Sequence, residues 1–388
     1  MSRMLDTSAV GAFLEARHHQ LATAVAELVA REVAPLPVAH DDATARAQAR
    51  GLLGVLGRAG LAAHAHPLDL RACCVIRERL AWESPLADEV FALQCLGSTP
   101  ITLAGATELG AALVPKVVSG ELMAAFAMTE PDAGSDVASL GTQARRDGDD
   151  YVLDGKKTLI SNAGLADFYT VFAKTDPAAG HRGISCFVVD ADTPGLCFER
   201  ALELSAPHPL GDLAFEACRV PASRRLGEEG DGFRLGMSTL DALRTTVAAA
   251  ACGMAARAMD EALTHVESRQ QFGAPLATLA LVQHKLAAMA IELAAARLLV
   301  YRAAAARDAG APRVSLECAM AKAYATEAAQ RIIDTAVQLC GGRGVLRDSK
   351  VDQLYRAIRP LRIYEGTTDI QHLVIARALL KGRQQPGV

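Results

Sequence analysis

The sequence predicts an α+β chain in three parts: an N-terminal helical domain (residues 1–124), a central antiparallel β domain (125–232) and a C-terminal four-helix bundle (233–388). Two changes of pattern predict this division. Apolar residues recur at helical spacing towards both ends, and between them short β-rich runs are separated by Gly, Pro and Asp turns. The third observation is size: 388 residues with 51% apolar content provide for two or three cores.

Along the first part, Val10, Phe13, Leu14, Leu21, Val25, Leu28 and Val29 line one face of a helix that Pro35-Leu36-Pro37 stops. Shorter helices follow, the last being Ala111–Val118, closed by Ser119-Gly120. In the middle, Tyr151–Leu153, Phe168–Ala173, Ile184–Val189 and Leu213–Phe215 read as strands. Their turns are Asp147-Gly148-Asp149, Asp154-Gly155, Pro177–Gly180 and Pro194-Gly195, and Gly227–Gly232 leads out. From Phe233 the helical period returns in Ala-rich segments: 233–269, 277–308, 313–340 and a last helix from Thr368. Gly273–Pro275, Gly310–Pro312 and Gly341–Gly344 punctuate them, and Gly382–Val388 reads as a frayed tail.

A net charge of -4 and the absence of a Lys/Arg-rich run argue against nucleic acid and anionic membranes as partners. Residues Met1 to Gln20 lack the apolar core of a signal peptide, and Val247–Ala256 is too short to span a bilayer. Nine scattered cysteines without a C-x-x-C pair indicate reduced, cytoplasmic usage, with Cys73 and Cys74 as small core residues. The ten histidines include no H-x-x-x-H pair, so no metal site is expected.

Five segments carry chemistry, each with a plainer alternative. Ala125-Phe-Ala-Met-Thr-Glu-Pro-Asp-Ala-Gly-Ser-Asp136 ends a strand in a bare turn that can hold an anion on its amides, or simply turn. Thr158-Leu-Ile-Ser-Asn162 offers hydrogen bonds to a polar heterocycle, or caps a turn. Ser268-Arg-Gln-Gln-Phe-Gly273 places Arg269 where it can pair with a phosphate, or answer a helix dipole. Gln338-Leu-Cys-Gly-Gly-Arg-Gly344 is a glycine-dense helix stop. In Arg362-Ile-Tyr-Glu-Gly-Thr-Thr-Asp-Ile-Gln371, Thr368 and Gln371 stand at capping-box spacing. Glu365 then lies just outside a helix N-terminus, either as a general base or as a solvated cap.

In this order and spacing the five segments resemble the acyl-CoA dehydrogenases over essentially the whole chain. The resemblance implies a helical domain, a central antiparallel β-barrel and a four-helix bundle. It also implies FAD as cofactor, with Glu365 as the base that takes the α-proton of an acyl thioester while the β-hydride goes to flavin N5. The enolate is then held by the Glu365 backbone N–H and a ribityl hydroxyl. Phe126, Met128, Thr129, Gly134 and Ser135 are expected at the flavin and its phosphates, and Leu159, Ile160 and Ser161 beside its ring. Arg269, Phe272, Gln338, Gly341 and Gly342 are expected to reach the FAD of a neighbouring subunit in a homodimer or homotetramer, with Thr367 and Asp369 as further FAD contacts. Asp241, Arg244, Gly366 and again Ser135 are expected at the substrate, and an electron-transferring flavoprotein as electron acceptor.

Departures from the family pattern cluster in a few places. Leu159 stands where a tryptophan is usual, Ala280 where a glutamine is, and Ala357 where an aspartate is. Ser205–Gly211 lacks the usual Lys-x-Gly-x-Arg pattern, and the loop after Gly60 lacks a Tyr-Gly-Gly element. These changes leave three readings: a dehydrogenase of acyl-CoA, one of a carrier-protein-bound acyl group, and a non-catalytic FAD-binding subunit of a heteromer. A flavin oxidase or monooxygenase is a further class on this fold, and the retained Glu365 argues against it.

Overall fold

The computed structural model describes residues 3–311 and 313–383, so Pro312 and the end of the predicted tail, 384–388, lie outside the described residues. Five helices come first: α1 (Ala16–Leu28), α2 (Asp42–Arg58), α3 (Leu70–Glu83), α4 (Pro85–Leu103) and α5 (Thr107–Val118). Side-chain caps start α2 and α3, where Asp41 accepts from the Thr44 amide at 2.7 Å and Asp69 from the Ala72 amide at 3.0 Å. Val10, Phe13 and Leu14 do not share the first helix: the chain is extended at Leu14, and α1 begins two residues later.

Strands follow as β1 (Ala124–Ala127), β2 (Gln143–Asp147), β3 (Asp150–Ser161), β4 (Phe168–Lys174), β5 (Ile184–Asp190), β6 (Leu196–Ala201), β7 (Leu210–Pro221) and β8 (Arg225–Leu226). After α6 (Gly232–Ser268), a short hairpin pairs β9 (Gln270–Gln271) with β10 (Ala274–Pro275). The chain then runs through α7 (Ala280–Asp308), α8 (Ser315–Cys340), α9 (Lys350–Leu361) and α10 (Thr368–Arg383). Helix α9 is additional to the four predicted. Its Val351, Leu354, Ile358 and Leu361 form the buried stripe of an amphipathic helix. No helix of the described residues is long and apolar enough to cross a membrane.

The chain divides into two compact units. One comprises Met1–Leu36, Asp69–Asp88 and Leu243–Val388. Within it α7, α9 and α10 all pack on α8. Helix α3 lies close to α6, where a Cβ on Gly253 would fall 2.2 Å from the Glu78 carbonyl oxygen. The buried Glu78 carboxylate is answered from α7 by Arg297 at 2.7 Å and by the Tyr301 hydroxyl at 2.8 Å.

The other unit comprises Pro37–Leu68 and Glu89–Ala242 and holds the sheet. Strand order is β6-β7-β3-β2-β4-β5-β8, with β1 paired to β4. Two expectations change here. The sheet is not wholly antiparallel, because β1 and β2 both run parallel to β4. Nor is a closed barrel formed among the described residues: β6 and β8 are opposite edges of an open sheet. The outer side of β1 is met by a side chain instead of a strand, since Gln94 of α4 accepts from the Ala124 amide at 3.0 Å and donates to the Leu122 carbonyl at 2.5 Å.

Candidate active site

The segment between α9 and α10 is a tight loop, closed by the Thr368 amide donating to the Arg362 carbonyl at 3.0 Å. Inside it Glu365 has φ 52° and Gly366 φ 89°. Two successive left-handed residues reverse the chain in minimal length. Gly366 does so freely, whereas a non-glycine residue costs about 1–3 kcal/mol in such a region and persists only where its surroundings impose it. A Cβ at Gly366 would also stand 2.6 Å from the Gln371 amide nitrogen.

The cap differs from the predicted capping box. The Thr367 hydroxyl, not that of Thr368, accepts from the amide three residues on, at Ile370, 3.3 Å away. Thr368 instead donates to Glu327 of α8 at 2.8 Å, and Arg362 donates to the same oxygen at 2.7 Å. Gln371 is buried and turns back on the loop, donating to the Gly366 carbonyl at 2.9 Å and accepting from Arg244 of α6 at 3.1 Å.

A residue with no part in the sequence motifs completes this network. Lys322 of α8 is fully buried, and its Nζ donates to the carbonyls of Tyr364 at 2.8 Å and Gly366 at 2.6 Å, one on either side of Glu365. Burial pushes its pKa down from 10.5 to about 8; Glu365 and Glu327 oppose that shift and Arg244 adds to it. Its signal in the sequence was register. Cys318, Ala319, Lys322, Ala325, Thr326 and Ala329 share the buried face of α8, so a lysine stands where an apolar residue is due.

In the sheet unit, the chain leaves β1, which holds Phe126, through Met128 and Thr129 into a two-residue turn in which Glu130 and Ala133 exchange backbone hydrogen bonds of 3.1 Å. Gly134 and Ser135 follow, both exposed, and a Cβ on Gly134 would meet nothing within 4 Å. An open turn of this kind can accept an anion on its backbone amides. Met128 is buried, close enough to α6 that a Cβ on Gly236 would lie 2.3 Å from its methyl carbon. The Thr129 carbonyl accepts from the Thr158 amide at 3.0 Å. Leu159 sits in the irregular stretch of β3 with φ 55° and is 55% exposed, while Ile160 is buried in the sheet core. The Ser161 hydroxyl lies 3.2 Å from the His208 ring.

Behind β1 stands a second buried lysine. Lys157 donates to the carbonyls of Met128 at 3.1 Å and Phe172 at 2.7 Å and to Glu130 at 2.7 Å. Burial alone would raise the Glu130 pKa, but Lys157 and the amides of Gly141 and Thr142 hold it below its ordinary value.

Of the residues expected at a neighbour's cofactor, Arg269 begins the β9–β10 hairpin. Its turn is Phe272 with φ 54° and Gly273 with φ 79°, the paired left-handed geometry of a tight two-residue turn. It holds the Phe272 ring 92% exposed. Gln338, Gly341 and Gly342 form an exposed helix end with open space over both glycines. Asp369 is exposed in the first turn of α10, and Asp241 is half-buried on α6.

Residues 230–380 match the acyl-CoA dehydrogenase C-terminal domain and residues 125–218 its middle domain. A protein of Mycobacterium bovis named "Probable acyl-CoA dehydrogenase fadE25" is 37% identical over 377 residues, covering 95% of this chain and 96% of that protein. The chain belongs to the acyl-CoA dehydrogenase family. Among solved structures, butyryl-CoA dehydrogenase from Megasphaera elsdenii superposes with a TM-score of 0.87 at 30% identity, covering 95% of this chain and 99% of that one. A glutaryl-CoA dehydrogenase from Mycobacterium smegmatis, in complex with FADH2, gives 0.89 at 26% identity, covering 98% and 99%. This is a family of FAD-dependent oxidoreductases, and the open Gly134-Ser135 turn and the exposed aliphatic face of Leu159 have the chemistry to receive a pyrophosphate and a flat ring.

Proposed function

We propose that this protein dehydrogenates an acyl-CoA thioester to its trans-2-enoyl thioester, with Glu365 as the base for the α-proton. The observation that carries the reading is a glutamate on strained, left-handed backbone just before α10, with the carbonyls on either side of it, Tyr364 and Gly366, both held by Lys322. Backbone strain that the surroundings over-determine clusters at functional sites. FAD, when bound, supplies the acceptor for the β-hydride and a ribityl hydroxyl donor to the thioester carbonyl.

The rest falls to the chain. An unactivated α-C–H is too weak an acid for a carboxylate, so the developing enolate oxygen needs a donor in place beforehand, and the Glu365 backbone N–H takes that role. Glu365 then removes the α-proton and holds it on its carboxyl. Phe126, Met128, Thr129, Gly134, Ser135, Leu159, the backbone of Ile160, and Ser161 hold the cofactor. Arg269, Phe272, Gln338, Gly341 and Gly342 reach the cofactor of a second copy, which makes the protein a homo-oligomer. Thr367 and Asp369 are further contacts to FAD. Asp241 takes the pantetheine arm, Gly366 borders the thioester, and Arg244 acts on the substrate through Gln371. The electrons leave to an electron-transferring flavoprotein.

Anaerobic titration with a panel of acyl-CoA esters tests this: the flavin should bleach with the wild type, and Glu365→Gln should keep FAD while losing bleaching by at least a thousandfold. A Glu365→Gln protein that bleaches at near-normal rate would remove the assignment.

A second reading concerns the acyl carrier. Ser205–Gly211 holds no Lys or Arg, and His208 folds back to Ser161, so this loop offers no cation to nucleotide phosphates. Acyl-pantetheine or a carrier-bound acyl group should then bleach the flavin nearly as well as acyl-CoA. Loss of all reduction on truncating acyl-CoA to acyl-pantetheine removes this reading.

A further inference from the structure

We propose that Lys322 is a positioning residue for the Glu365 base: a buried cation that holds the left-handed turn at Glu365 and directs its backbone N–H. The inference rests on the reading of Glu365 as the base.

The geometry is specific. Nζ of Lys322 takes the Tyr364 carbonyl at 2.8 Å and the Gly366 carbonyl at 2.6 Å, so the peptide groups before and after the Glu365–Gly366 bond are tied to one point on α8. In a planar trans peptide the carbonyl oxygen and the following N–H point in opposite directions. Drawing the Tyr364 oxygen toward α8 therefore turns the Glu365 N–H away from α8, the side on which this proposal places the substrate carbonyl. One ammonium group thereby sets both halves of the chemistry, the backbone donor and the residue that carries the carboxylate. Gln371 adds a neutral tie to the Gly366 carbonyl at 2.9 Å. Lys322 is also held rigidly, fully buried on a helix against which three others pack.

Charge acts in the same direction. Lys322 and Glu365 attract each other electrostatically, with Arg244 from α6, Glu327 from α8 and Arg362 from the loop as the other charged groups of the cluster. The cation favours the ionised form that a base requires.

The test uses FAD-replete Lys322→Met and Lys322→Gln proteins, with single-turnover bleaching by an acyl-CoA that the wild type accepts. Both variants should keep one FAD per chain and a KM within about threefold of wild type. Flavin reduction should fall about tenfold to a hundredfold in Lys322→Met, the size of loss expected from a misplaced reacting group. Lys322→Gln, which keeps an N–H donor, should recover part of the rate. The acid limb of the rate profile should move to higher pH in both, because the cation is gone while Arg244, Glu327 and Arg362 remain. A reduction rate within twofold of wild type, or a defect confined to KM, overturns the proposal. Failure of both variants to fold assigns Lys322 to stability alone and overturns it as well. If the wild type bleaches with no acyl thioester, the proposed function fails; if it bleaches and the variants match it, only the role of Lys322 fails.

Discussion

Two buried lysines, one in each compact unit, do outwardly similar work. Lys157 holds the carbonyls of Met128 and Phe172, and Lys322 those of Tyr364 and Gly366. Burial lowers both from 10.5 to about 8. The difference lies in what they hold. Lys157 is hydrogen-bonded to Glu130 and braces strands in ordinary extended backbone, whereas Lys322 braces a glutamate in a conformation that L-residues resist. The first lysine therefore secures the packing around β1 and β4, and the second secures a strained geometry. Loss of Lys157 should be felt mainly as stability, and loss of Lys322 mainly as rate.

The largest stability effect should come from Lys157→Met, which leaves Glu130 buried without its cation and should cost about 3–5 kcal/mol in urea unfolding. Lys157→Met combined with Glu130→Gln should recover part of that loss. A single-variant cost below about 1 kcal/mol would remove the distinction between the two lysines. Next is Gly366→Ala, where a side chain at φ 89° would also strike the Gln371 amide. It should cost about 1–3 kcal/mol in thermal unfolding and lower flavin reduction more than tenfold.

Alkaline pH gives a smaller, signed effect. Between about pH 8 and 10 the unfolded chain keeps protons that the folded lysines give up, so stability rises with pH by up to about 1.4 kcal/mol per unit for each lysine. The difference in unfolding free energy between wild type and Lys157→Met, followed across that range, should show one such increment. A flat difference would mean that Lys157 stays charged there. Smallest is Glu327→Gln. Burial would raise the Glu327 pKa, but Arg362 and Thr368 hold it below normal, so its contribution is present above about pH 4.5 and fades as pH falls through its folded value. At neutral pH the substitution should cost only about 0.5–1 kcal/mol in urea unfolding, because the pair is partly exposed.

Much of this was legible in the sequence for local reasons. The E-G-T-T segment carries its own bend and cap, and helices 233–269, 277–308 and 313–340 fall within three residues of α6, α7 and α8. What escaped was long-range. Lys322 meets its partners 42 and 44 residues further along the chain. Lys157 shares the alternating inward positions of Tyr151 and Leu153, until the irregularity at Leu159 moves the buried position to Ile160. Sheet closure was not legible at all, because the pairing of β1 and β2 with β4 joins segments whose periodicity says nothing about partner or direction.

The Phe272 hairpin bears on how the protein survives its own synthesis. A phenyl ring 92% exposed at a turn, with Leu281 and Ile291 of α7 also largely exposed, is the type of sticky surface that holdase chaperones capture on new chains. In the homo-oligomer proposed above, burial of this ring against a second copy would compete with that capture. The yield of active protein in a cell should therefore climb faster than linearly with expression level, and Phe272→Ser should flatten that dependence by releasing chains that stay soluble but do not assemble.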